Sequence, residues 1–229
     1  QPGGDAIAFF SERSGSKQLW LQEHESLIQL SKDDTTTPLD YFVWSSNGEQ
    51  IAAIRDKQLT LFNKQGLLQT IDLPFRALRL FQWNEQDQLL MKVLGSQGAE
   101  LVAYDIGTAQ AQTLYSGYIH WAQSYQDQVL ISSDKHKLNR LVEGKLVPIV
   151  ELDSIATWSR FLIRDDGLFL LSKDDDIWRF DLTSSELTKL FHYPDPSIAI
   201  SDVAPDLNKL LISKFVSAKK EIVLLKNNE

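Results

Sequence analysis

Four histidines, at positions 24, 120, 136 and 192, are the side chains of this sequence that titrate nearest neutral pH. They are widely dispersed, and none stands at metal-ligand spacing from a carboxylate pair. His120 precedes Trp121 and reads as a hydrogen-bonded or solvated residue. His136 sits in the charged turn Asp134-Lys135-His136-Lys137 and reads as wet. The carboxylates of Asp174-Asp175-Asp176 and of Lys32-Asp33-Asp34 could offer oxygens to Ca²⁺, but the regular Asp-x-Asp-x-Asp-Gly spacing is absent. These runs, like Asp165-Asp166-Gly167, read as exposed turns. There is no Gly-x-Ser-x-Gly elbow, no His-Glu-x-x-His pair and no phosphate-binding glycine loop. Ser14 lies in the polar turn Ser14-Gly15-Ser16. With no cysteine in 229 residues, a thiol nucleophile, a disulfide framework and a Cys-ligated metal are excluded. No catalytic set, metal or cofactor is expected.

Thirty-one acidic and 23 basic residues give a net charge of −8, which repels phosphate and argues against nucleic-acid binding by this segment. At 43% hydrophobic and 24% charged, the composition is that of a globular protein with material for a sizeable core. No apolar run approaches the ~20 residues of a bilayer-spanning helix. The chain opens Gln1-Pro2-Gly3-Gly4, and the expectation is a segment of a longer polypeptide. Absence of cysteine fits an oxidising compartment.

The elements that carry these side chains come from a repeat. A polar residue, an aliphatic anchor and a strand-forming run recur around Leu19, Leu59, Leu101, Leu138, Ile177 and Ile222, at intervals of 40, 42, 37, 39 and 45 residues. A second series, Trp44, Trp83, Trp121, Ile163 and Val203, runs in phase at 39, 38, 42 and 40. Each member precedes a polar turn, such as Asn47-Gly48 or Asp166-Gly167, and then an aliphatic run. A third series closes the units at Leu27–Leu30, Leu68–Ile71, Ala111–Tyr115, Leu146–Val150 and Leu187–Phe191. Short apolar runs broken every 8–12 residues by Gly, Asn, Asp or Pro are strands, so each unit is four strands, a to d, joined by hairpins. Four-stranded units of about 40 residues make a β-propeller. The recurring tryptophans are expected between neighbouring sheets. Chain length gives nearly six units, the first lacking strand a and the last lacking strand d. The expectation is one all-β domain over residues 1–229, a six-bladed β-propeller of four-stranded antiparallel blades with incomplete terminal blades.

Two segments carry a family resemblance. Trp44-Ser45-Ser46-Asn47-Gly48-Glu49-Gln50-Ile51-Ala52 resembles the first half of the TolB-type propeller repeat. Ile7-Ala8-Phe9-Phe10-Ser11-Glu12-Arg13-Ser14-Gly15 with Leu19-Trp20 resembles its second half. The copies at Trp83 and Trp121 have lost both the Pro and the Gly of that motif. The resemblance implies a non-catalytic binding propeller, and the sensor domains of CadC- and ToxR-like regulators fit it best. It then implies a periplasmic segment whose parent is membrane-anchored and carries a separate winged-helix DNA-binding domain. Two alternatives remain open: a TolB-like periplasmic protein-interaction scaffold, and the regulatory propeller of a prolyl-peptidase-like hydrolase.

In a propeller the connections from strand d to the next strand a, and from b to c, gather on one face. Here the d-to-a connections carry Asp40, Tyr41, Arg76, Tyr118, Trp158, Ser159, Arg160, His192 and Tyr193, and the b-to-c connections add Arg13, Arg55 and His136. Aromatic and Arg side chains are what binding surfaces enrich. The candidate ligand or partner-binding set is Asp40, Tyr41, Arg55, Arg76, Tyr118, Trp158 and Arg160. The expected partner is a protein, peptide or small-molecule signal, with anionic or peptide ligands favoured by the arginines.

Overall fold

The computed structural model describes residues 1–32, 37–133, 137–151, 162–164, 167–171, 176–192, 198–203, 209–216 and 219–226. Among them are 22 strands and no helix, hence no helix long and apolar enough to cross a membrane. Each sheet is a meander in chain order. The first contains β1 (Ile7–Ser11), β2 (Gln18–Glu23) and β3 (Ser26–Gln29). The second contains β4 (Asp40–Trp44), β5 (Ile51–Arg55), β6 (Gln58–Asn63) and β7 (Gly66–Asp72). The third contains β8 (Arg76–Trp83), β9 (Gln88–Gly95), β10 (Gly98–Asp105) and β11 (Gln110–Ser116). The fourth contains β12 (Trp121–Tyr125), β13 (Gln128–Ser132), β14 (Lys137–Val142) and β15 (Lys145–Glu151). The fifth contains β16 (Leu162–Arg164), β17 (Gly167–Leu171), β18 (Asp176–Asp181) and β19 (Leu187–His192). The last contains β20 (Ile198–Val203), β21 (Lys209–Val216) and β22 (Lys219–Lys226).

These are the four-stranded antiparallel blades of a β-propeller. The expectation of six four-stranded blades is corrected to five: among the described residues four sheets have four strands, and the first and last have three each. Among the described residues, β1 is paired with β2 alone and β22 with β21 alone, so each is the edge of its sheet. The chain divides into two compact units, Gln1–Leu130 with Leu141–Leu146, and Ile131–Arg140 with Val147–Glu229.

In the first unit β5 is apolar on both faces. Ile51 and Ala53 of β5 join Leu19, Leu21, Leu39 and Phe62 in one buried cluster, with Trp44 packed against it. Ala52 and Ile54 join Leu59, Leu80, Trp83, Leu89 and Met91 in the next. A strand alternates its side chains between two faces, so a sheet with a neighbour on each side needs a continuous apolar run. Ile51-Ala52-Ala53-Ile54 is such a run, every member at most 1% exposed.

Hairpin chemistry repeats with the blades. Between strands a and b of the second sheet, Gly48 takes φ 71, and a Cβ there would collide with the Pro2 carbonyl. The third sheet puts Asp87 at the same place with φ 62, and the Asp87 carboxylate accepts a 2.8 Å bond from Trp83 Nε1. That bond explains how the Gly of the motif can be lost without losing the turn. At the c-to-d hairpins Asn63, Asp105 and Asp181 each accept backbone N–H groups, from Gln65, Thr108, and both Thr183 and Ser184.

In the second unit Ile163, Leu168, Phe169, Ile177 and Phe180 of the fifth sheet are buried. Asp176 there accepts from Lys189 Nζ and contacts His192 Nδ1, both at 2.8 Å. Strands β21 and β22 of the last sheet pair without interruption from Lys209↔Lys226 to Val216↔Lys219.

Candidate functional site

Strand a of the second sheet, β4, and strand a of the third, β8, lie side by side, and β8 also neighbours β12. These first strands are irregular. In β4 the register steps from Asp40↔Ile54 to Phe42↔Ala53, leaving Tyr41 unpaired with φ 44, a rare conformation for a bulky residue. In β8 the register skips Leu78 and Phe81. Two bulges change the period of burial from two to three, so Ala77, Leu80 and Trp83 face the core. The same bulges set Arg79 directly opposite Lys92 of β9.

Like charges across a strand pair repel, and both cations are held by their surroundings. Arg79 Nη1 donates to the His120 carbonyl at 3.1 Å, and its guanidinium lies 5.3 Å from the ring centres of both Tyr41 and Phe81. Lys92 Nζ donates to the Ile119 carbonyl at 2.9 Å and lies 5.4 Å from the Tyr118 ring centre. Burial, reinforced by the charge of Arg79, holds the Lys92 pKa below the ordinary lysine value. Tyr41 and Tyr118 are 40% and 61% exposed, large rings standing in solvent at the rim of the pair. Gln82 of β8 and Ser124 of β12 exchange two hydrogen bonds that lock the strands beneath.

The expected residues meet this cluster unevenly. Tyr41 and Tyr118 belong to it. Asp40 is tied to Lys17 of the β1–β2 connection at 2.7 Å, and Arg76 to Asp56 of the β5–β6 turn at 3.0 Å. The b-to-c and d-to-a connections therefore do meet within this unit, and these two pairs are the same contact in successive blades. The β5–β6 turn also gives its Asp56 and Lys57 carbonyls to Ala77 and Leu73. Arg13 lies instead over Phe9 and Trp20 of its own sheet, and Arg55 closes β5. Trp158, Arg160, Ser159, His136 and Tyr193 lie outside the described residues. Among the described residues, no group of three or more His, Asp or Glu is placed to hold a metal ion.

Arg79 and Lys92 are the members that sequence reasoning missed, being inside strands rather than connections. One signal was available. In Leu89-Leu90-Met91-Lys92-Val93 a lysine interrupts an apolar strand-b run, at the position Ile54 occupies in Ile51-Ala52-Ala53-Ile54.

No protein-family model and no curated protein matches the sequence. Among solved structures, TolB from Acinetobacter baumannii matches with a TM-score of 0.69 at 12% identity, over 96% of this chain and 61% of that one. The fold is shared with TolB. A chain of a nidogen–laminin complex matches at 0.63 and 11% identity, over 84% of this chain and 77% of that one. A candidate 6-phosphogluconolactonase from Bacteroides uniformis matches at 0.60 and 13% identity, over 97% and 78%. At such identities the likeness carries the fold alone. What this TolB-like propeller could bind must be argued from its own side chains. The cluster offers two cations and three rings on bulged strands.

Proposed function

We propose that this propeller is a non-catalytic binding module that docks a protein or peptide on the face built by its d-to-a and b-to-c connections. The observation that carries the reading is the cation–aromatic cluster of Tyr41, Arg79, Lys92 and Tyr118. Aromatic and Arg anchors dominate binding energy at interfaces. Asp40, Arg55 and Arg76 are proposed to border this docking surface, and Trp158 and Arg160 are proposed as further binding residues. The resemblance of Ile7–Gly15 and Trp44–Ala52 to the TolB-type repeat supports a sensory role in the periplasm. The parent would be a membrane-anchored winged-helix regulator responding to a protein, peptide or small-molecule signal. A second reading, consistent with the fold shared with TolB, is a periplasmic protein-interaction scaffold.

The test is made in the intact parent. Trp158→Ala with Arg160→Ala, and separately Tyr118→Ala, should lower the parent's output several-fold while thermal melting stays within the range of ordinary surface substitutions, about 0.5 kcal/mol. Unchanged output from all these variants would remove this face as the docking site.

A further inference from the structure

Resting on that docking reading, we infer that the Arg79–Lys92 pair is the seat of a carboxylate carried by the docked partner, on an acidic side chain or at a C-terminus. The pair is built rather than incidental. Two bulges in β8, at Leu78 and Phe81, are what bring Arg79 opposite Lys92, and a third bulge turns Tyr41 toward the guanidinium. The His120 carbonyl accepts from Arg79 and the Ile119 carbonyl from Lys92, both from the β11–β12 connection. An ammonium has three protons, so Lys92 Nζ keeps two for a ligand.

A carboxylate is planar, carries one charge and offers two oxygens, one for each cation, and it relieves the repulsion between opposed positive groups. Tyr41 and Tyr118 stand at the rim, exposed enough to pack against the side chains beside that carboxylate. Charge complementarity is local: the pair is positive within a chain of net charge −8. A peptide is favoured over a lone small anion, because the exposed rings give apolar area that a small anion leaves unused.

The intact protein is titrated by fluorescence anisotropy with labelled pentapeptides of known composition. One has Glu-Asp-Glu between two phenylalanines and an amidated C-terminus. A second replaces the acids by Gln-Asn-Gln and is amidated, and a third is that neutral peptide with a free C-terminus. A fourth is the neutral amidated peptide with one phosphoserine. The first or the third should bind at least tenfold more tightly than the second, and which one does so tells side-chain from C-terminal carboxylate. Arg79→Gln and Lys92→Gln should each weaken that binding about tenfold, Arg79→Lys should restore part of it, and Lys145→Gln on β15 should leave it unchanged. The bound peptide should also protect Lys92 from acylation in the unsubstituted protein, a readout independent of any variant's folding. Equal binding of all peptides, or full binding after both glutamine substitutions, overturns the inference. So does a phosphopeptide that binds tenfold more tightly than either carboxylate peptide. If no peptide binds while the Trp158 and Arg160 variant still loses output, the carboxylate seat is rejected and the docking face stands. If the peptide binds through Arg79 and Lys92 but neither that variant nor Tyr118→Ala lowers output, the seat stands and its role in docking is rejected.

Discussion

At the c-to-d hairpin of the fifth sheet, the Asp181 carboxylate accepts backbone N–H groups of Ser184 at 2.8 Å and Thr183 at 2.9 Å, then Arg179 at 3.0 Å. Led by the two N–H bonds, these partners hold its pKa down to about 2 from 3.8. A depressed folded pKa stabilises the fold above the unfolded value, and that contribution is lost as pH falls from 3.8 through about 2. Asp181→Asn should therefore lower the melting temperature at pH 7, and its deficit should shrink as pH approaches 2. A deficit independent of pH would show that the carboxylate charge is not what organises the turn. Lys92 shows the opposite sign. Its folded pKa is lowered, first by burial and then by Arg79, so the charged form carries a penalty that is full below the folded pKa. That penalty disappears as pH rises toward 10.5, where the unfolded lysine also loses its proton. The stability of Lys92→Met relative to the unsubstituted protein should thus fall between pH 7 and 10.5.

Among the elements, the strands were legible and their irregularities were not. The blade period placed β2, β6, β10, β14, β18 and β22 on the anchors Leu19, Leu59, Leu101, Leu138, Ile177 and Ile222, because short apolar runs flanked by turn residues and repeated at one period read as strands. Bulges escape such reading, since which residue goes unpaired depends on the partner strand. In β8 the spacing of buried Ala77, Leu80 and Trp83 by three belongs to neither a regular strand nor a helix. Outer strands carry bulges as well, at Leu68 of β7, Leu114 of β11 and Leu190 of β19. A bulge on an edge strand twists it away from another chain's edge, which suits exposed leucines such as Leu68 and Leu190. The two-faced burial of β5 has a consequence of its own. Ala52 and Ala53 point into different clusters, both fully buried, so Ala52→Leu and Ala53→Leu should each cost about 1–3 kcal/mol by overpacking. Urea unfolding measures both. Tolerance of one but not the other would mean that one face of the sheet is open.

For the whole molecule, charge decides how a ligand arrives and pairwise contacts decide how long it stays. A net charge of −8 repels an acidic peptide at distances where the positive Arg79–Lys92 pair is only a local perturbation. The screening length shrinks from about 30 Å at 0.01 M ionic strength to about 8 Å at 0.15 M. Added salt therefore removes the long-range repulsion first, while the contact between carboxylate and cations, inside that length and bordered by Tyr41, Phe81 and Tyr118, is weakened less. Stopped-flow association of the acidic peptide should accelerate as salt rises over this range. That is the reverse of an encounter steered by opposite charges, whose rate falls steeply with salt. Dissociation should also quicken, by a smaller factor than the pair's full loss in Lys92→Gln. An association rate that falls with salt would mean that the approach is governed by a positive face larger than this cluster, and the boundary of the docking surface would have to be redrawn around it.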